Sequence, residues 1–393
     1  MPRLRRRSYR PLQRTPDGRG AEMHSNSEYV ETVIIGGGQA GLVAGYELMK
    51  RGRQFVILDA ESRVGDAWRN RWDSLRLFTP GRDCGLPGLR FTAQRSLAPT
   101  KDEMADYLQA YAAHHELPVR NAVRATGLTK SADLFLIETS AGELTATNVI
   151  VATGSYRDPT VPSFAEDLDP HIVQMHSAAY RNPSQLQPGG VLLVGGGNSG
   201  ADISLDVVQT HPTWLAGPQV SHIPPDIDKW FARTFVVRAV RFVQRNVLCL
   251  RTPIGRRAAP KLRGKATPLI RVKPKWLARA GVQRVGRVVG VHDGLPQLDD
   301  GRVLDVTNVL WCTGFRHDFP WIDLDTAFDE DGRPVHARGV SAEVDGLYFV
   351  GLEFQFALAS ASLWGVARDA AYVVRQLDRH SAIRPDLQPT PAR

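Results

Sequence analysis

Two glycine fingerprints of identical spacing constrain this chain more than any other feature. The first, Gly36-Gly37-Gly38-Gln39-Ala40-Gly41, follows the apolar run Val33-Ile34-Ile35; the second, Gly195-Gly196-Gly197-Asn198-Ser199-Gly200, follows Val191-Leu192-Leu193-Val194. Both read G-x-G-x-x-G. The pattern calls for a strand, a tight turn and a helix whose first amides and positive dipole end hold a pyrophosphate. Two such sites in one chain point to two dinucleotides, one passing electrons to the other. A single copy would be weak evidence, because glycine makes up 35 of 393 residues. Context strengthens the first copy: Leu42, Tyr46, Leu48 and Met49 recur at helical spacing, and the run Phe55-Val56-Ile57-Leu58 ends on Asp59. An acid about 20 residues beyond the glycines is the acceptor that a ribose diol needs.

The two halves match beyond their glycines. Thr147-Asn148-Val149-Ile150-Val151-Ala152-Thr153-Gly154 closes the first, and Thr307-Asn308-Val309-Leu310-Trp311-Cys312-Thr313-Gly314 closes the second. The offset is 159 residues between fingerprints and 160 between closing motifs, as expected for a duplicated unit. Residues 315–380 are too few for a third nucleotide fold. They hold one apolar strand, Leu347-Tyr348-Phe349-Val350-Gly351, and a closing helix expected over 362–377. The expected architecture is therefore α/β, with two dinucleotide-binding, Rossmann-like domains, the second inserted into the first. The boundaries read as a basic tail over 1–27, the first domain over 28–160, the second over 161–306, the return to the first over 307–380, and a tail over 381–393.

Composition narrows the class. An apolar fraction of 42% with 23% charged residues reads as globular. No apolar run approaches the ~18 residues of a membrane span, and the N-terminus shows no apolar signal region, so a cytoplasmic location is expected. Cys84, Cys249 and Cys312 are far apart and form no C-x-x-C pair, which argues against a disulfide framework, a zinc site and dithiol redox chemistry. No metal-binding pattern is present. Charge is uneven: residues 1–20 carry seven arginines against Asp17, supplying +6 of the net +8. That tail, with Pro2, Pro11 and Pro16, reads as a disordered, solvated extension, with Met23 as an alternative start; nucleic acid is not the expected partner.

A basic helical insertion is expected over 226–280. Residues 229–279 hold fifteen Lys or Arg and no acid. Between Trp230 and Leu250 the apolar residues leave Arg238, Arg241 and Arg245 on one helical face. Such a helix either packs on its domain with solvated arginines or touches an anionic membrane peripherally.

With these residues in place, the chain resembles the flavin-containing monooxygenases and their bacterial relatives, a group that includes the plant auxin-forming monooxygenases. The resemblance covers nearly everything after residue 28. Gly65-Asp66-Ala67-Trp68 is similar to the family's G-x-x-W segment, and Ala152-Thr153-Gly154-Ser155-Tyr156 to its A-T-G-x-Y element. The resemblance implies that Gly36, Gly38, Gln39, Ala40, Gly41, Asp59, Trp68, Gly154 and Gly351 bind FAD. It implies likewise that Gly195, Gly197, Asn198, Ser199 and Gly200 bind NADPH. Departures are also visible. The family fingerprint F-x-G-x-x-x-H-x-x-x-Y/F is half present, as His176 and Tyr180, with Pro170 and Ile172 in place of Phe and Gly. A Thr-Asn pair is replaced by Leu77-Phe78. The strand Thr213-Trp214-Leu215-Ala216 ends in Gly217-Pro218, where an arginine for a 2′-phosphate is expected; His222, Lys229 or the basic stretch are the candidate substitutes.

The implied chemistry passes hydride from NADPH to FAD, adds oxygen at flavin C4a and transfers one atom to a small lipophilic substrate, with O2 as co-substrate. Protein tasks are then to exclude water and hold the nucleotide. His176 and Asn198 are the catalytic candidates, with Ser199 beside them. Each has a plainer reading, Asn198 and Ser199 as helix caps and His176 as a hydrogen bond to the linker. The pocket is expected near Phe78, the 230–250 helix and Phe354-Gln355-Phe356, residues that core packing would equally explain. Two other functions use the same residues: an NAD(P)H-dependent flavoprotein reductase or oxidase, and a nucleotide-sensing, membrane-associated regulator. Homodimer formation stays open.

Overall fold

The computed structural model describes residues 27–93, 98–156, 158–218, 220–221, 237–263, 268–316 and 318–383. The Arg-rich tail, His222, Lys229 and the first half of the expected basic helix lie outside the described residues.

Strand β1 (Glu28–Ile35) runs through the first glycine loop into α1 (Gln39–Met49), followed by β2 (Phe55–Leu58). Helices α2 (Asp66–Arg69) and α3 (Lys101–His114) come next. A capping box starts α3: the Thr100 hydroxyl accepts from Glu103 N while the Glu103 carboxylate accepts from Thr100 N. Then come β3 (Val119–Arg120), β4 (Ala125–Ser131), β5 (Leu134–Thr139) and β6 (Gly142–Val151). After β7 (Asp158–Pro159), the second unit supplies β8 (Val173–His176), β9 (Val191–Val194), α4 (Asn198–Val207) and β10 (Thr213–Ala216). The basic stretch forms α5 (Val237–Phe242), a π-helical turn at Val243–Val247, α6 (Pro253–Leu262) and α7 (Pro274–Ala280). The chain continues through β11 (Gln283–Val285), the hairpin β12 (Val288–His292) and β13 (Leu295–Leu298), and β14 (Asn308–Trp311). It ends with β15 (Phe315–Arg316), β16 (His336–Ala337), β17 (Val340–Ser341), β18 (Leu347–Phe349) and α8 (Val366–Ile383).

These elements build two sheets. In the first, β18, β6, β1, β2 and β3 lie side by side and parallel, with β17 and β16 antiparallel beyond β18, and β5 and β4 hanging off β6. In the second, the order β11-β10-β9-β14-β8 is wholly parallel. The trios β2-β1-β6 and β10-β9-β14 correspond, as the sequence repeat requires. Parallel strands are covered on both faces and therefore need continuous apolar runs; Val33-Ile34-Ile35 and Val191–Val194 are buried throughout. Helices α1 and α8 cover one face of the first sheet through Leu42, Leu48, Val373 and Leu377 against Ile34, Ile57 and Tyr348. Each fully buried aliphatic side chain of this kind contributes about 1.5–3 kcal/mol.

Because β18 pairs with β6, the chain after the second unit returns to the first sheet. The second unit is thus an insertion, and its two connections run together: β7 pairs antiparallel with β15, Asp158 opposite Arg316 and Pro159 opposite Phe315. The boundary expected between 306 and 307 needs correction. Strand β14 is bonded between β9 and β8, so the second unit extends through Trp311 and the crossing falls at Thr313–Gly314. The closing helix also differs, beginning at Val366 rather than Ser362 and reaching Ile383. Ser362 is taken up in a turn, its hydroxyl donating to Ala359 O, and Gly365 presses against that same carbonyl.

The basic helix departs most from expectation. In its described part, Phe242 and Val243 face solvent at 62% and 40% exposure, while Arg241 turns inward to an ion pair with Asp83 and lies over the Trp364 ring. A single solvated arginine face is therefore not what forms. The acid that captures Arg241 sits 158 residues earlier, beyond the reach of local periodicity.

Candidate active site

Each glycine loop is shaped by contacts that leave no room for a side chain. Gly36 has φ +115°, and a Cβ there would lie 2.5 Å from Ala152 O at the end of β6. A Cβ on Gly41 would collide with the Gly36 carbonyl, so only glycine lets α1 rest on its own loop. Gly38 caps α1 without a side-chain bond, and nothing stands within 4 Å of a Cβ built on it, so the loop is open beside the start of the helix. Asp59, just past β2, holds its carboxylate over Gly37 and accepts from Glu61 N at 3.2 Å; burial raises its pKa above the usual carboxylate range. Gly351, φ +90°, backs onto Ala40. It is held there by Gln355, whose Oε1 accepts from Gly351 N at 3.0 Å and Leu352 N at 3.3 Å. Gly154, φ +72°, follows two residues after Ala152. Trp68, on α2, packs against the apolar cluster that contains Ala40. The structure thus gathers the residues of the first fingerprint, Asp59 and Gly351 around one helix start, a shape that fits a dinucleotide.

The second loop repeats the geometry. Gly195 has φ +118° and abuts Cys312 O, as Gly36 abuts Ala152 O; Gly200 presses on Gly195 O. Gly197 caps α4 with no side-chain bond and faces open space. Asn198 is therefore not a helix cap. Its Oδ1 accepts from Ile270 N and its Nδ2 donates to Pro268 O, both at 3.2 Å, so it clamps the end of the basic insertion onto the loop. Ser199 sits half-buried in the first turn of α4. No side chain follows β10 at Gly217, but the neighbouring strand β11 sends Arg284 across. Its Nη2 donates to Gly217 O at 2.8 Å and to Pro218 O at 3.2 Å. Sequence reading missed this residue, because the contact spans 67 positions.

At the crossing, His176 is 8% exposed and both ring nitrogens are engaged by backbone. Nδ1 accepts from Ala178 N at 3.1 Å, so the proton sits on Nε2, which donates to Gly314 O at 3.1 Å. Burial lowers its pKa. A neutral ring locked in this way holds the linker, the plainer of its two readings. Tyr180 is fully buried and donates to Asp206 at 2.8 Å, anchoring α4. In front of His176, Phe315 stacks edge-on at 4.9 Å and Tyr156 at 5.4 Å from Phe315. The Arg71 guanidinium lies over both Tyr156 and Phe315, and burial lowers its pKa. Arg71, too, was not singled out from the sequence; its position three residues after Trp68 was the available signal.

Other expectations change. Phe354 and Phe356 are buried at 2% and 7% exposure and Gln355 completely, so these three are core, whereas Phe78 is exposed. Cys84, Cys249 and Cys312 are free thiols, and burial pushes Cys84 and Cys312 up to about 12. Among the described residues no group of three or more His, Cys, Asp or Glu could hold a metal ion, and no helix is long and apolar enough to cross a membrane.

Two sheets, each with a parallel centre and a glycine loop open at a helix start, have the shape that dinucleotide-binding units share. Comparison with known proteins agrees. The profile of the pyridine nucleotide-disulphide oxidoreductases matches residues 33–218. An uncharacterized CzcO-like oxidoreductase of Geobacillus kaustophilus is 36% identical over 352 residues, covering 89% of this chain and 99% of the relative. A probable indole-3-pyruvate monooxygenase of Arabidopsis thaliana, YUCCA3, is 28% identical over 88% of this chain and 86% of its own length. Among solved structures, the flavin-containing monooxygenase of Stenotrophomonas maltophilia superposes with a TM-score of 0.73 at 29% identity, over 90% of this chain and 99% of that one. The chain belongs to the flavin-containing monooxygenase family, and its membership implies use of a flavin and a nicotinamide nucleotide.

Proposed function

We propose that this protein is a monooxygenase that takes reducing equivalents from NADPH into a bound FAD and inserts one atom of O2 into a small lipophilic substrate. One observation carries the reading: two glycine loops of matching geometry lie in one chain, joined by a crossing that contains no cysteine pair. A bound flavin supplies the oxygen activation. The chain's own residues supply placement. Gly38, Gln39 and Ala40 present amides to one pyrophosphate, and Asp59 accepts from the ribose of the same nucleotide. Gly197, Asn198 and Ser199 start the helix that receives the other, with Asn198 tying the 268–270 segment over it. His176 fixes the connection at Gly314, and Phe315 packs edge-on against both the His176 ring and the exposed Tyr156 ring at the crossing.

The test supplies the FAD-loaded protein with NADPH, 18O2 and a panel of thioether, amine and ketone probes. The reading expects one 18O in the product for each NADPH consumed. NADPH consumption matched by hydrogen peroxide, with no labelled product from any probe, would replace it with an oxidase or reductase.

A further inference from the structure

The two nucleotide loops differ in one respect that the sequence repeat conceals. In the first unit the residue that ends β2 and turns over the loop is Asp59, with its carboxylate against Gly37. Its counterpart after β10 is Gly217, φ +118°, which has no side chain. The room left there is taken from the side. Arg284 on β11 pairs in register with Leu215 on β10 and reaches over the strand end. Its Nη2 is bonded to the carbonyls of Gly217 and Pro218, and a Cβ built on Gly196 would lie 3.0 Å from its Nη1. Gly196 is the exact repeat of Gly37, so a guanidinium stands where the first loop has a carboxylate. Among the described residues neither Nη1 nor Nε has a protein acceptor and no carboxylate neighbours the group.

The two charges select opposite ligands at the same place. A carboxylate accepts hydrogen bonds from a free ribose diol and repels a phosphate on it, whereas a guanidinium donates in pairs to phosphate oxygens. We infer that Arg284, delivered from the adjacent strand, is the residue that recognises the 2′-phosphate of the nicotinamide nucleotide and sets the preference for the phosphorylated form. This rests on reading the second loop as the nicotinamide-nucleotide site. It also accounts for the missing arginine after β10: the cation is present, but on the neighbouring strand. The anchoring of Nη2 on two carbonyls fixes the plane of the group and holds Nη1 beside Gly196 in the glycine loop.

The experiment uses the full-length, flavin-loaded protein and two probes without nicotinamide, adenosine 2′,5′-bisphosphate and 5′-AMP, titrated calorimetrically. Wild type is expected to bind the bisphosphate roughly tenfold to hundredfold more tightly, the range of one or two charge-assisted bonds. Arg284→Gln is expected to bring that ratio near one while leaving 5′-AMP affinity within about twofold, and Arg284→Lys to retain part of it. Unchanged flavin content and melting temperature verify the fold of each variant. Equal binding of the two probes by wild type, or a ratio that survives Arg284→Gln, overturns the inference, as does binding of neither probe. The probes are not turned over, so a protein that never oxygenates a substrate gives the same answer. Failure of the monooxygenase reading and failure of this one are therefore separate results.

Discussion

Gln355 is the residue whose loss is expected to couple stability to cofactor retention most clearly. Its side chain is wholly buried and makes four hydrogen bonds: it accepts from Gly351 N and Leu352 N, and donates to Phe349 O at 2.9 Å and Arg338 O at 3.4 Å. Gln355→Leu keeps most of the volume but orphans the two amides and weakens the satisfaction of two carbonyls. A buried donor left without a partner costs about 1–3 kcal/mol. Two such donors give roughly 2–6 kcal/mol, before any relaxation that lets water in. The same turn presses Gly351 against Ala40 at the start of α1, so flavin affinity falls together with stability. Urea unfolding of the apo and flavin-loaded forms separates the effects, the first reading the turn itself and the second adding ligand linkage. A change below about 0.5 kcal/mol in the apoprotein, or a loss of stability with unchanged flavin affinity, would mean that the Gln355 turn does not support the flavin loop.

Further predictions follow from the loops and the buried groups. Gly41→Ala forces a Cβ into the Gly36 carbonyl, and Gly200→Ala forces one into that of Gly195; the first should abolish flavin retention, the second weaken NADPH binding with flavin still bound, each checked by absorbance and titration. Asn198→Ala removes both bonds to the 268–270 segment and should raise the KM for the nicotinamide nucleotide several-fold at a cost near 1 kcal/mol, with faster proteolysis of the basic stretch as the structural readout. His336 has its pKa lowered to about 4 by burial, with a smaller contribution from Arg263. The unfolded chain therefore takes up a proton near pH 6.5 that the folded chain refuses until about pH 4. Stability present above pH 6.5 is lost as pH falls through that window, by about 3 kcal/mol at most. His336→Gln should flatten this part of the profile, seen by comparing urea midpoints at pH 7 and pH 4.5.

What could be read from the chain was whatever is local. The glycine loops, their flanking strands and Asp59 lie within short windows; the near-equal offsets of the fingerprints and closing motifs pointed to the duplication, and the short remainder after Gly314 to the insertion. The contacts between distant strands were not legible. Arg284 meets Gly217 across a parallel pair, and nothing near either residue announces it. Arg241 is captured by Asp83, and the exposed Phe242 and Val243 invert what helical periodicity alone would place inside. The boundary after Val306 fell too early because a fully buried strand of four residues, Asn308–Trp311, reads the same in either sheet. Phe354 and Phe356 showed apolar bulk but not its direction, which the Gln355 turn decides. His176 was correctly placed at the crossing, where only the geometry of its two ring nitrogens distinguishes a positioning role from an acid–base one.

In the proposed reaction electrons pass from one nucleotide to the other and are then used on oxygen. The decisive experiment reduces the FAD-loaded protein with NADPH without air, admits oxygen, and follows the flavin spectrum. A monooxygenase bleaches rapidly with NADPH and then, in the absence of substrate, shows a long-lived absorbance blue-shifted from oxidised flavin. Immediate return of oxidised flavin with release of peroxide, or no bleaching at all, would contradict it.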